Sequence, residues 1–340
     1  MTECHWHAVR QSGGQAVASI QVQEREFMGL LREAIRRSLV LVGLICPLLA
    51  ASWQVSENLP LGKLTLGIYV AVAGLLILCE HSLAFRNDWG TAIRGTKTDF
   101  LYVILGAALE KASFLACVTV VASIGWHLSS YLQIELWPRG WAFGFQVLAA
   151  LLIADMGTYF RHRLFHKSSM LWRFHQIHHS PTGLYWIRSA HTHPVEQLCI
   201  MIAIMLPIAL LGAGGEIIAL VAFVYGLSGL LQHANIDARS SILNFVFATP
   251  EVHRIHHRAD ERGNQSNFSA FFVLMDILFG TYCRPTPSEA PVRVGLEGVT
   301  AFPGDFLSHL VMPFKPDPVA LDSDGAWGQR PGEVSGTNKR

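Results

Sequence analysis

Residues 155–196 read DMGTYFRHRLFHKSSMLWRFHQIHHSPTGLYWIRSAHTHPVE, and the rest of the chain is organised around them. They hold seven of the sixteen histidines: His162, His166, His175, His178, His179, His191 and His193. The first pair is spaced i, i+4, and the next three i, i+3, i+4. At about 3.6 residues per turn, each spacing puts its imidazoles on one face of a helix. No proline interrupts the run before Pro181. Two helical faces edged with imidazole are therefore expected side by side. A lone i, i+4 pair is commonly a surface feature or a satisfied core histidine. Five imidazoles in two boxes need another explanation: protonated they repel one another, and neutral they are the commonest metal ligands. Structural zinc sites use four protein ligands and catalytic sites three plus water, so the count points to two ions.

Hydrophobic residues make up 51% of the 340-residue chain and charged residues 15%, with a mean hydropathy of +0.33. Soluble domains carry about 25% charged residues, so the composition is that of a membrane protein. A net charge of +1 without a basic block speaks against nucleic acid as a partner. The six cysteines (Cys4, Cys46, Cys79, Cys117, Cys199 and Cys283) are scattered and form no CxxC pair. That argues against a disulfide framework or a thiolate-held metal. The N-terminus lacks the apolar core of a cleavable signal peptide.

In chain order, residues 1–37 form a polar, arginine-bearing cytosolic segment, with His5 and His7 in a disordered arm. Residues 38–140 carry the N-terminal membrane helices. Apolar runs at 38–53, with a kink expected at Pro47, and 64–85 form a hairpin. The run at 100–125 contains Glu110 and Lys111, which are costly at the bilayer centre. The preferred expectation is an interfacial segment at 100–110 and a span at 112–132; the alternative turns the charged pair to the bundle interior. Residues 141–283 form the catalytic unit, in which a span from residue 142 leads into His162. A second hairpin, 198–213 and 217–231, ends at His233. There follows HRIHH, in which His253, His256 and His257 repeat the spacing of the second box. Residues 284–340 read as a loosely ordered cytosolic tail whose His309 is not a ligand. Arginines near the N-terminus and in the 86–97 loop favour the cytoplasmic side, and counting spans brings every histidine group to that same face. The expected fold is all-α: a multi-pass membrane bundle with a cytosolic histidine-rich helical cap.

Eleven histidines on that face are candidate ligands: His162, His166, His175, His178, His179, His191, His193, His233, His253, His256 and His257. Nitrogen-only ligation fits iron, zinc, copper or nickel, and open positions on a histidine site suit dioxygen activation at ferrous iron. Asp155, Glu196, Asp237 and Asp276 are expected to orient imidazoles from behind, with ordinary capping or interface charge as the alternative for each.

HRLFH, HQIHH and HRIHH, in that order and divided by a membrane hairpin, resemble the boxes of the fatty acid hydroxylase/sterol desaturase superfamily. AHTHPVE resembles that family's HPxE element and QHANI its isolated histidine. Asn267, Asp276, Phe279, Gly280 and Thr281 resemble its C-terminal signature. The likeness covers roughly residues 142–283; nothing in residues 1–140 adds to it. It implies a membrane-bound oxidoreductase holding two irons, which hydroxylates or desaturates a C–H bond of a lipid with O2. Its ligands would be His162, His166, His175, His178, His179, His193, His233, His253, His256 and His257, five for each ion. His191 is extra and is placed behind the ligands or on the substrate side. Electrons would come from a ferredoxin or a cytochrome b5-like protein with its reductase, since no HPGG-type haem segment is present. The lipid would enter from the bilayer between the spans. The expected location is a bacterial cytoplasmic membrane, and an ornithine lipid or another polar lipid is favoured over a sterol. Rivals are a metal-handling or transport protein and a family member without activity. Transport sites lie near the bilayer midplane, whereas these histidines follow helix ends. A metalloprotease lacks its HExxH, and for a paired-histidine haem site only His81 and His127 remain.

Overall fold

The protein is described by a computed structural model covering residues 4–57, 59, 61–89, 97–286, 293–299 and 302–315. Helix α1 (Cys4–Val40) runs through a π turn (Leu41–Ile45) into α2 (Cys46–Ser56). Pro47 lacks the N–H that an α-helix would use, and the π turn before it takes up the irregularity. Helix α3 (Leu61–Ser82) runs back. Helix α4 (Lys97–Ala116) continues through a second π turn (Cys117–Val121) into α5 (Ala122–Leu132). Then come α6 (Phe143–Lys167), α7 (Ser169–His179), α8 (Pro194–Leu210) and α9 (Gly215–His233). Four short helices complete the fold: α10 (Pro250–His256), α11 (Glu261–Asn264), α12 (Leu274–Leu278) and α13 (Phe306–Val311). Among the described residues β-pairing is limited to isolated bridges.

Five helical stretches among the described residues are long and apolar enough to cross a membrane: Gln23–Ser56, Gly62–Ser82, Lys97–Leu132, Phe143–Lys167 and Gly215–His233. Together they make an all-α multi-pass bundle. Helix α9 lies at its centre and is mostly buried, whereas little of α3 and α4–α5 is buried. Leu220, Val221, Val224 and Leu227 of α9 are fully buried in the core. Helices α3 and α4 instead turn leucine and valine outward, as lipid-facing helices do; Leu66 and Val70 are each 65% exposed. Glycine sets the approach of α6 to α8, since a Cβ at Gly157 would lie 2.4 Å from the Ala203 carbonyl oxygen.

Polar contacts gather several helix ends at one level. Arg36, near the end of α1, pairs with Asp237 at 3.0 Å. Glu80, near the end of α3, accepts from the backbone N–H groups of Trp186 and Asn235. Asp99 in the first turn of α4 accepts from His191 Nδ1 at 2.7 Å. The C-termini of α6 and α9 and the N-terminus of α8 meet at this same end, where the histidine boxes lie. At the other end Arg139 donates to the Gly212 carbonyl, where α8 turns into α9.

Three expectations are corrected. The arm with His5 and His7 is helical rather than disordered, part of α1, which continues into the first apolar run. The stretch 97–132 is one continuous helix, not an interfacial segment followed by a span. Glu110 there turns inward to line a cavity while Lys111 is exposed, so the charged pair does not force a break. The tail is folded over residues 302–315: His309 is buried, with its Nδ1 3.1 Å from Tyr102 Oη and its Nε2 2.6 Å from the Pro303 carbonyl oxygen. Residues 90–96, with Arg94, and 316–340 lie outside the described residues.

Candidate metal centre

Helix ends carry the histidines inward. His162 and His166 occupy the last turns of α6, His175, His178 and His179 the second half of α7, and His233 the last position of α9. Ser168 caps α7, its hydroxyl accepting from Leu171 N–H. Thr249 caps α10 and Pro250 opens it, a helix start that fixes the direction of the third box.

The nine imidazoles fall into two groups. His162, His166, His175, His179 and His256 form one; His178, His233, His253 and His257 form the other. Within each group the candidate ligand atoms all lie within 4.8 Å of one another. Both HxxHH boxes are split between the groups. From α7, His175 and His179 go to the first group and His178 to the second. From α10 the split is reversed, with His256 in the first and His253 and His257 in the second. Rings of His179 and His257 stack at 4.6 Å across the boundary.

Hydrogen bonding fixes the tautomers. His162 Nδ1 donates to the Phe268 carbonyl at 2.8 Å, His175 Nδ1 to Glu196 at 2.6 Å and His256 Nδ1 to the Ser266 carbonyl at 2.7 Å. In the second group, His233 Nδ1 donates to the Gly229 carbonyl at 2.8 Å and His178 Nδ1 to the His191 carbonyl at 3.3 Å. With Nδ1 protonated, a neutral ring has only a lone pair at Nε2. Yet the Nε2 atoms of His162 and His175 stand 3.0 Å apart, and those of His178 and His233 3.2 Å apart. Neutral rings have no proton to share in these contacts; a cation between them makes the arrangement favourable. Burial, followed by neighbouring imidazoles, holds His178, His179, His253 and His257 well below the usual histidine range and His256 down at about 3, which keeps them in the ligating form.

Separations also bear on geometry. With metal–nitrogen bonds of about 2.0–2.1 Å, two ligands stand about 3.3 Å apart in a tetrahedron and about 2.9 Å apart at a right angle. The closest Nε2 pairs here lie at 2.9–3.2 Å. They span the interval between the two values, the spacing of imidazoles that share one ion.

The structure places the remaining candidates elsewhere. His193 lies outside both groups: its Nδ1 accepts from Val195 N–H to cap α8, and its Nε2 faces the Leu310 carbonyl at 3.3 Å. The division is thus five and four rather than five and five. His191 reaches the centre only through its backbone oxygen, and its ring is held by Asp99. Glu196 touches an imidazole directly. Asp155 instead binds Phe271 N–H and faces the Tyr225 hydroxyl, and Asp237 pairs with Arg36 at the bundle end. Asp276 accepts from Phe268 N–H, Ser269 N–H and the Thr281 hydroxyl, holding the loop whose carbonyls receive His162 and His256.

Several supporting residues carry little sequence signal. Arg161 donates to Glu196 at 2.9 Å from the far side of the His175 contact. Trp172, buried, packs on the rings of His166 and His179 and closes the first group from water. Asn267 adopts φ +56°, and its side chain binds Val252, Cys283 O and Cys283 N–H. That turn aims the carbonyls of its two neighbours, Ser266 and Phe268, at the histidines.

A cavity of about 610 Å³ extends from the histidines into the bundle. His162, His175, His178, His233 and His253 form its inner end. Its other walls are mainly apolar residues of α3, α4, α8 and α9, and the outward-turned Leu66 and Val70 stand at its lipid side.

The family model for fatty acid hydroxylase matches residues 147–281. An ornithine lipid hydroxylase of Rhizobium tropici is 31% identical over 250 residues, covering 73% of this chain and 74% of that protein. An alkylglycerol monooxygenase of Danio rerio is 27% identical, over 65% of this chain and 48% of its own length. A methylsterol monooxygenase of Arabidopsis thaliana is 28% identical, over 40% and 52%. The chain thus spans about half the length of these last two relatives. No solved structure matches the chain. With its boxes inside the matched segment and a relative aligned over three quarters of that relative's length, the chain belongs to the fatty acid hydroxylase/sterol desaturase superfamily.

Proposed function

We propose that the protein is a di-iron monooxygenase that hydroxylates a C–H bond of a polar lipid. The observation that carries this is the pair of buried, nitrogen-only groups at the end of an apolar cavity facing the bilayer. Nine histidines would hold the metals: His162, His166, His175, His179 and His256 one ion, and His178, His233, His253 and His257 the other. Iron held there would supply activation of dioxygen and oxidation of an unactivated C–H bond. The chain's own residues do the rest. Glu196 and the backbone carbonyls fix the imidazole orientations, Trp172 excludes water, and the cavity walls hold an acyl chain against the inner end. Hydroxylation is favoured over desaturation because relatives across three kingdoms bear hydroxylase or monooxygenase names. A polar lipid is favoured because the relative aligned over most of its length is named for one.

Electrons would come from a separate ferredoxin or cytochrome b5-like protein. The histidine end is placed on the cytoplasmic side of a bacterial inner membrane, since Arg36, Arg37, Arg86 and Arg239 collect there. The test is expression in a bacterial host under 18O2, followed by mass spectrometry of extracted lipids. A lipid gaining one 18O with the wild type but not with His256→Ala is expected. An unchanged lipid profile, with the metals bound, would overturn the assignment.

A further inference from the structure

Glu110 has no part in the reaction just described, yet it sits inside the substrate cavity. It borders both the cavity that reaches the histidines and a second one of about 500 Å³, which the first meets at Tyr69, Ala107, Glu110 and Ala222. The second cavity continues to Gly62 and Thr65 at the start of α3, the end remote from the histidines. Depth follows from helix rise. Asp99 marks the histidine end of α4, and Glu110 is eleven residues on, about 16 Å along the axis. From Glu80 to Tyr69 on α3 is the same count, which puts the tyrosine ring at the same level. A hydrocarbon core of about 30 Å places both near its middle.

A carboxyl group at that depth is costly unless something binds it. The Tyr69 hydroxyl is engaged with the Phe223 carbonyl at 3.1 Å. Among the described residues the Glu110 carboxyl group takes part in no hydrogen bond or ion pair; the walls beside it toward the histidines are alanine, glycine and valine, while Lys111 is exposed and borders only the second cavity. A plain acyl chain would leave it unsatisfied. A chain carrying a hydrogen-bond donor at this depth would not.

We propose that Glu110 is a specificity-determining residue that accepts a hydrogen bond from a donor carried partway along the substrate, a hydroxyl, amide N–H or ammonium group. The substrate is then an amphiphile with an internal polar group, not a simple fatty acyl chain. The bond to Glu110 fixes how far the chain advances toward the histidines, and hence which carbon is oxidised. This rests on the assignment of the cavity as the lipid site.

The experiment measures binding of stearic acid and its 8-, 10- and 12-hydroxy derivatives to the metal-loaded protein in detergent. Wild-type protein is expected to bind at least one hydroxy isomer about tenfold more tightly than stearic acid, the scale of one buried hydrogen bond. Glu110→Leu is expected to lose that preference while binding stearic acid at least as well. Glu110→Gln, which keeps an acceptor oxygen, is expected to retain part of it, and stands in if the leucine variant does not fold. A wild-type protein that binds all four acids equally, or a leucine variant that keeps the preference, overturns the proposal. Gly106→Trp separates the two levels. A Cβ at Gly106 meets nothing within 4 Å, so the indole would enter the cavity. It is expected to abolish binding of every probe. Intact binding in that variant, or no probe binding to the wild type, would overturn the cavity assignment itself.

Discussion

His162 and His175 face each other through Nε2 atoms 3.0 Å apart, while each has already given its one neutral-state proton to an oxygen behind it. Such a contact stores repulsion until a cation enters. Metal binding is therefore expected to stabilise the fold strongly. A ligand at a hundred times its dissociation constant contributes about 2.7 kcal/mol. Thermal unfolding in detergent, with and without chelation, checks this; chelated and loaded protein melting together would contradict it.

Glu196 holds His175 from one side and takes Arg161 on the other. Glu196→Ala is expected to lower metal affinity about 10–100-fold, as loss of a partner behind a ligand commonly does. Glu196→Gln keeps an acceptor oxygen and is expected to fall between. Metal titration of the purified variants reads the effect. An alanine variant with wild-type affinity would remove Glu196 from the site.

His193 caps α8 instead of joining either histidine group. His193→Ala is expected to leave the metal content unchanged and to cost about 1 kcal/mol of stability through the lost cap. His175→Ala is expected to lose metal outright. Loss of metal in His193→Ala, measured by elemental analysis, would return His193 to the ligand set.

Acid is expected to destabilise the metal-free protein early. His178, His179, His253, His256 and His257 titrate in the folded chain far below their unfolded value near 6.5, His256 at about 3. Above 6.5 both states are neutral and stability is full. As pH falls below 6.5 the unfolded chain gains protons first. Each such group then removes about 1.4 kcal/mol per pH unit until its folded value is reached. Unfolding midpoints measured between pH 8 and pH 5 are expected to fall below pH 6.5. A flat profile would mean that these rings are not buried in neutral form.

Much of the site could be read in the sequence because helical spacing is rigid. The i, i+3, i+4 boxes had to present three imidazoles on one face, and the apolar runs had to cross a membrane. The division of each box between two groups was not readable, since it depends on how α7 and α10 cross in space. His193 was misleading for a local reason: a histidine before Pro194 also makes a helix cap, and the motif does not distinguish the two uses. Glu110 suggested a broken helix because its cost was reckoned against lipid; a cavity wall changes that reckoning. Asp99 and Arg161 act through contacts distant in sequence, with His191 and Glu196, which no periodicity reveals.

The most direct test is the metal content of the wild-type protein, purified in detergent after expression with iron supplied. Close to two irons per chain are expected, with both lost in a variant carrying His175→Ala and His253→Ala. Zinc at one per chain or less, with no iron after anaerobic handling, would contradict the di-iron assignment and withdraw the oxidation of C–H bonds with it.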